Sequence, residues 1–141
     1  MSFDDHQLLS RLADTLRSQI APAVDDEFAR TQAFMASVIL QRLAKQARFE
    51  DEHHTAEIAD VAALADQLDA VFATGGSATD VPAAVTDAVA RMRVQASISA
   101  ASEVIDALYR WDPSHPLAAA ALAATRHALR RDIDRRMDIA Q

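Results

Sequence analysis

The sequence predicts an all-α fold, one domain over residues 1–141 built as a bundle of about five mostly antiparallel helices. Three observations carry that expectation. Apolar residues recur at helical spacing almost throughout, and strand-like alternation appears nowhere. Two glycines and four prolines in 141 residues leave little material for β-turns. The stretches in which the apolar period lapses are short, so successive helices must return alongside one another.

The first helix is marked by Leu8, Leu12, Leu16 and Ile20, four residues apart, with Leu9 and Ala13 widening the stripe. Ser2-Phe3-Asp4-Asp5 has capping-box spacing ahead of it. Pro22 should move Ala21 out of the helical region and open a second helix, with Asp25, Asp26 and Glu27 near its positive end. That helix is expected to run to about Arg48, with Phe28, Met35, Ile39, Leu43 and Ala47 inward and Ala36 and Leu40 beside them. A third helix follows from Ile58, Val61, Leu64, Ala65, Leu68, Val71 and Phe72. "TGGSATDVP" ends it, with Gly75 suited to a left-handed cap.

From Pro82 to Arg110 a single fourth helix is expected, and it carries two apolar stripes. Val85, Val89, Met92 and Ala96 form one; Val94, Ile98, Ala101, Ile105 and Leu108 form the other. At about 100° per residue the stripes lie about 200° apart, which places this helix in the middle of the bundle. "WDPSHP" breaks the chain, with Ser114 expected to accept a backbone hydrogen bond at the start of a last helix. On that helix Leu122, Leu129 and Ile133 should face inward.

A formal charge of −7 argues against non-specific binding to nucleic acid or anionic membrane. The absence of cysteine excludes disulfides, thiolate metal sites and cysteine nucleophiles, and fits a cytoplasmic protein. The acidic start "MSFDDHQLLS" does not read as a signal peptide, and no run is apolar enough to span a bilayer.

The most chemically suggestive run is "RFEDEHHTAE", Arg48 to Glu57. Glu50 and His53 have the Glu-x-x-His spacing of di-iron bundles, with His54 adjacent, but no second such motif exists in the chain. The run is therefore read as a solvated junction between helices, and neither a metal nor another cofactor is expected. No nucleophile elbow or glycine-rich phosphate cradle is present, so no catalytic residue is assigned. Other residues are candidates for a partner or ligand surface. Gln32 is expected on a buried side, where an amide needs partners. Ser99 and Ser102 lie in the small-residue stretch "QASISAAS". His127 and Arg130 centre a cationic last helix that also carries Arg126, Arg131, Arg135 and Arg136.

From Leu8 to Ala44 the chain reads "LLSRLADTLRSQIAPAVDDEFARTQAFMASVILQRLA": a leader helix, an "IAPAV" break and a long second helix rich in small residues. In these features it resembles the opening of a small all-helical bacterial family of undefined function. Members of that family sit beside aminoglycoside-phosphotransferase-like kinases and acyl-CoA dehydrogenases. The resemblance implies an auxiliary subunit that helps a kinase-like partner act on a hydroxyacyl-CoA. At Arg30-Thr31-Gln32 the family tends toward a His-Ala-Arg run that this chain does not reproduce, and no residue role is carried over.

The leading expectation is a non-catalytic helical accessory subunit that binds a partner protein, the kinase-like one being the partner the resemblance implies. The second is a small-molecule or acyl-CoA binding bundle lined by Gln32 and the serine-rich stretch. The third is a metal-dependent enzyme centred on Glu50, His53 and His54. A homo-oligomer is compatible with all three.

Overall fold

The computed structural model describes residues 4–75 and 80–140, with 139 and 140 described by backbone alone. The fold is all-α: 89% of it is helical, and no strand occurs among the described residues. Helix α1 comprises Asp5–Thr15, a wider π turn at Leu16–Ile20 and a closing turn at Ala21–Ala23. It is followed by α2 (Glu27–Ala73), α3 (Ala83–Gln95), α4 (Ile98–Trp111) and α5 (Pro116–Ala140). The capping-box positions Ser2 and Phe3, and Gly76 to Thr79 of the loop after α2, lie outside the described residues.

The number of helices matches the expectation, but two of the breaks do not. The "RFEDEHHTAE" run is helical, and α2 continues through it for 47 residues. An ion pair and a hydrogen bond at i,i+4 sustain its exposed surface: Arg48 Nε donates to Glu52 at 2.9 Å, and Gln46 Nε2 donates to Glu50 at 3.1 Å. Conversely, the expected helix from Pro82 to Arg110 is two helices. Ala96 turns left-handed at φ 48° and ψ 37°, its N–H donating to Met92 O at 2.9 Å, and Ser97 is extended. Val94, expected in the second stripe, stays on α3 and is 87% exposed; the rest of that stripe, from Ile98 on, belongs to α4, and the bend lets it and Val85, Val89 and Met92 of α3 face one core. The left-handed cap is at Ala96 and not at Gly75.

The described chain forms two compact units, residues 1–52 and 53–141. In the first, α1 is continuous through Ala21, which is helical despite Pro22; the π turn just before the proline absorbs the disruption from its missing N–H. Asp26 caps α2, accepting from the Ala29 N–H at 2.8 Å. Arg30 locks the turn by donating to Val24 O at 3.0 Å and Asp25 O at 3.1 Å. The chain reverses there, so His6 Nδ1 comes within 3.8 Å of Asp51 Oδ2. Buried in this unit are the small residues Ala13, Ala21, Ser37 and Ala44.

The second unit packs the C-terminal part of α2 with α3, α4 and α5 around Val61, Leu64, Leu68, Val85, Met92, Val104 and Leu108. Ala118, Ala121, Leu122 and Thr125 complete this core from α5, and Thr125 returns its hydroxyl proton to Ala121 O at 2.8 Å. Glu57 accepts the Ile98 N–H at 2.8 Å, so a side chain of α2 caps α4. At "WDPSHP", Asp112 Oδ1 accepts from the Ser114 N–H at 2.9 Å and the Ser114 hydroxyl at 2.6 Å, and His115 Nδ1 accepts from the Leu117 N–H at 3.2 Å. Serine thus donates at this corner, and aspartate and histidine accept. No described helix is long and apolar enough to cross a membrane.

Candidate functional site

The residue types in the first half of α2 are sorted in the reverse of the usual order. At 100° per residue, Ala33, Ser37, Leu40 and Ala44 share one side and are buried or half-buried. The roughly opposite side carries Phe28, Met35, Val38, Ile39 and Leu43, exposed by 44% (Leu43) to 72% (Phe28), while Phe34, 39% exposed, lies on a flank nearer the packed side. Phe28, Met35, Ile39 and Leu43, expected inward, therefore face outward. The expected side was wrong by half a turn because small residues, which allow close helix approach, form the packed side instead. Gln32 lies on the outward side and is exposed, so its amide needs no protein partner. Leu8, Leu12 and Ile20 of α1 are also nearly half exposed.

This strip is an ordered apolar surface of the first unit. Its edges are charged. Asp25, Asp26 and Glu27 stand at its start, and Arg42 and Lys45 stand at its far end. Lys45 Nζ rests 5.6 Å from the Phe49 ring centroid. The positive end of the helix dipole stabilises these acidic residues at the start of α2.

The second unit holds a buried charge cluster between α2 and α5. Asp60 accepts from Arg131 Nη2 at 2.8 Å and also pairs with Arg135. Asp132, 5% exposed, accepts from Arg136 Nε at 2.8 Å, and its other oxygen lies 3.4 Å from His53 Nε2. Both ring nitrogens of His53, Asp132 Oδ1 and Arg135 Nη1 are buried without a hydrogen-bond partner. Asp132 occupies the place in the inward stripe where Ile133 was expected; Ile133 is 55% exposed. The stripe Ala118, Ala121, Leu122, Thr125, Ala128 continues in helical register to position 132, and that register was the available signal.

The cationic surface expected on α5 is thus largely neutralised. Arg131, Arg135 and Arg136 are paired with carboxylates, and Arg126 donates to the Tyr109 hydroxyl and lies over its ring. His127 and Arg130 remain exposed. Ser99 is exposed beside Ser97, their hydroxyls 2.5 Å apart, and Ser102 is exposed. Their neighbours Ala100 and Ala101 are buried, so the small-residue stretch serves close packing of α4. Gln32 belongs to the first unit, and Ser99, Ser102, His127 and Arg130 belong to the second.

The residues of the metal expectation also diverge. Glu50 is bonded to Gln46, His53 turns toward Asp132, and His54 is exposed. No group of three metal-ligating side chains occurs among the described residues. A cleft of about 570 Å³ lies between α3 and α4, lined by Ala84, Asp87, Arg91, Glu103, Asp106, Ala107 and Arg110. Arg91 Nε already donates to Glu103 across it at 3.1 Å, and of its lining only Ala107 is buried. It lacks the apolar walls that hold a small molecule out of water. On the neighbouring surface, hydrogen bonds from Arg93 to Asp66 and Asp69 raise the guanidinium pKa further above its already high value. No protein-family model, curated protein or solved structure matches the chain.

Proposed function

We propose that the chain is a non-catalytic helical accessory protein that acts by binding a partner protein through the outward strip of α2. The observation that carries this reading is the exposure of Phe28, Met35, Val38 and Ile39 while Ala13, Ser37 and Ala44 of the same unit are buried. Leaving large apolar side chains in water forgoes roughly 1.5–3 kcal/mol each relative to burial, and a contiguous strip of them marks an interaction surface. The strip lies wholly within Leu8 to Ala44, the segment that resembles the kinase-associated family. A phosphotransferase-like kinase acting on a hydroxyacyl-CoA is therefore the partner to try first.

Copurification of the full chain with the products of its neighbouring genes, at micromolar concentration and low salt, tests the reading. A neighbour retained by the native chain and lost with Phe28→Ser supports it. A chain that elutes alone with every neighbour overturns it.

A further inference from the structure

We infer that the outward strip of α2 is self-complementary and pairs with the same strip of a second copy of this chain, the two α2 helices running antiparallel. This rests on reading the strip as a docking surface, and it adds an occupant separable from any foreign partner.

Two observations select the second copy. The first is shape. Phe28, Met35, Val38, Ile39 and Leu43, with the exposed Thr31, Gln32 and Arg42 between them, form one continuous outward strip along α2. Their spacing (28, 31/32, 35, 38/39, 42/43) is the three-and-four alternation that lets helices interdigitate side by side.

The second is charge. Glu27 and Lys45 are 18 residues apart, which is five full turns, so both lie on the same flank of the strip. A two-fold axis near residue 36 makes an antiparallel pair in which Glu27 of each copy meets Lys45 of the other. The acidic group Asp25, Asp26 and Glu27 then faces Arg42 and Lys45 at both ends. A parallel pair would set acid against acid and base against base. An isologous contact needs one patch that is its own complement, and the strip has that property.

The experiment uses the full chain. Sedimentation equilibrium should show a concentration-dependent rise toward twice the 15.3 kDa chain mass. Lys45 is the only lysine, so zero-length carbodiimide coupling has a single side-chain amine to join. Along one helix Glu27 and Lys45 are about 27 Å apart, too far to couple within a chain. A Lys45 peptide joined to Glu27, Asp26 or Asp25 in the dimer band therefore reports the antiparallel contact. Met35→Glu puts two carboxylates near the axis and should weaken the dimer by at least ~100-fold, with helicity by circular dichroism unchanged.

Should Met35→Glu fold poorly, the charge pair decides. Lys45→Glu should weaken association about tenfold, and adding Glu27→Lys should restore it. A monomeric native chain overturns the inference, as does a dimer that yields no such cross-link or is insensitive to these substitutions. A monomer that still retains a neighbouring protein would overturn the pairing alone. A dimer that retains none would overturn the foreign partner alone.

Discussion

Replacing Ala96 by glycine tests the bend between α3 and α4 through the sign of one free-energy change. Ala96 is the one non-glycine residue with positive φ among those described, at φ 48° and ψ 37°. In that region the Cβ of an L-residue crowds the following carbonyl at about 1–2 kcal/mol, which glycine avoids. Against this, glycine loses about 0.5–1 kcal/mol more backbone freedom on folding. The balance favours Ala96→Gly by about 0.5–1 kcal/mol. Had Pro82 to Arg110 been one helix, the same substitution in its interior would cost about 1 kcal/mol. Urea unfolding followed by circular dichroism separates the outcomes. With a slope of about 2 kcal/mol/M, the midpoint should rise by about 0.25–0.5 M in the bent chain and fall by a similar amount in a continuous helix. Ala96→Val supplies the converse, because a β-branched residue is a strong outlier at positive φ and should lower the midpoint. A midpoint that falls with glycine would refute the bend, and with it the placing of both apolar stripes against one core.

Asp132→Ala removes the partner of both Arg136 and His53 at a site 5% exposed, and should cost about 3 kcal/mol by urea denaturation; a loss below about 1 kcal/mol would mean the carboxylate is not held there. At the start of α5, hydrogen bonds from the Ser114 hydroxyl and N–H hold the Asp112 carboxyl below its ordinary value of 3.8. Because the folded value is depressed, its contribution to stability is present above the unfolded value and is lost as pH falls through the folded one. A carboxyl-detected NMR titration should place Asp112 below 3.8 and show it rising toward that value in Ser114→Ala; no movement would remove the hydroxyl from the cause.

Periodicity made the helices legible, because an amphipathic stripe is a local property. Val61, Leu64, Ala65 and Leu68 were expected inward and are buried. What periodicity could not supply was the choice between two sides of one helix. For α2 both sides are apolar in different senses, one small and one large, and apolar periodicity weights the large one. Likewise, a missing apolar period over Arg48 to Glu57 resembled a break, although every residue type there is compatible with helix and the i,i+4 pairs sustain it. The break at Ala96-Ser97 had only the two divergent stripes to announce it, since no glycine or proline stands there. The capping of α4 by Glu57 joins residues 41 apart in sequence, which a local reading does not reach.

The inversion in α2 also separates two explanations for exposed apolar residues. If the first unit were merely poorly packed, large and small residues would be exposed indifferently along it. Instead exposure is ordered by helical angle: the side with Ala33, Ser37 and Ala44 is closed, and the side with Phe28, Met35 and Ile39 is open over about 17 Å of helix. Small buried residues bring a neighbouring helix close but remove little apolar area from water. A hairpin joined that way gains most of its hydrophobic stabilisation only when its large side chains are covered. Another chain docked on that side, as proposed above, would supply this cover. In the second unit the same helix buries Val61, Leu64 and Leu68 within its own fold, and there the size order is the ordinary one. The contrast within a single helix confines the exposed large apolar residues of α2's first half to residues 28–43.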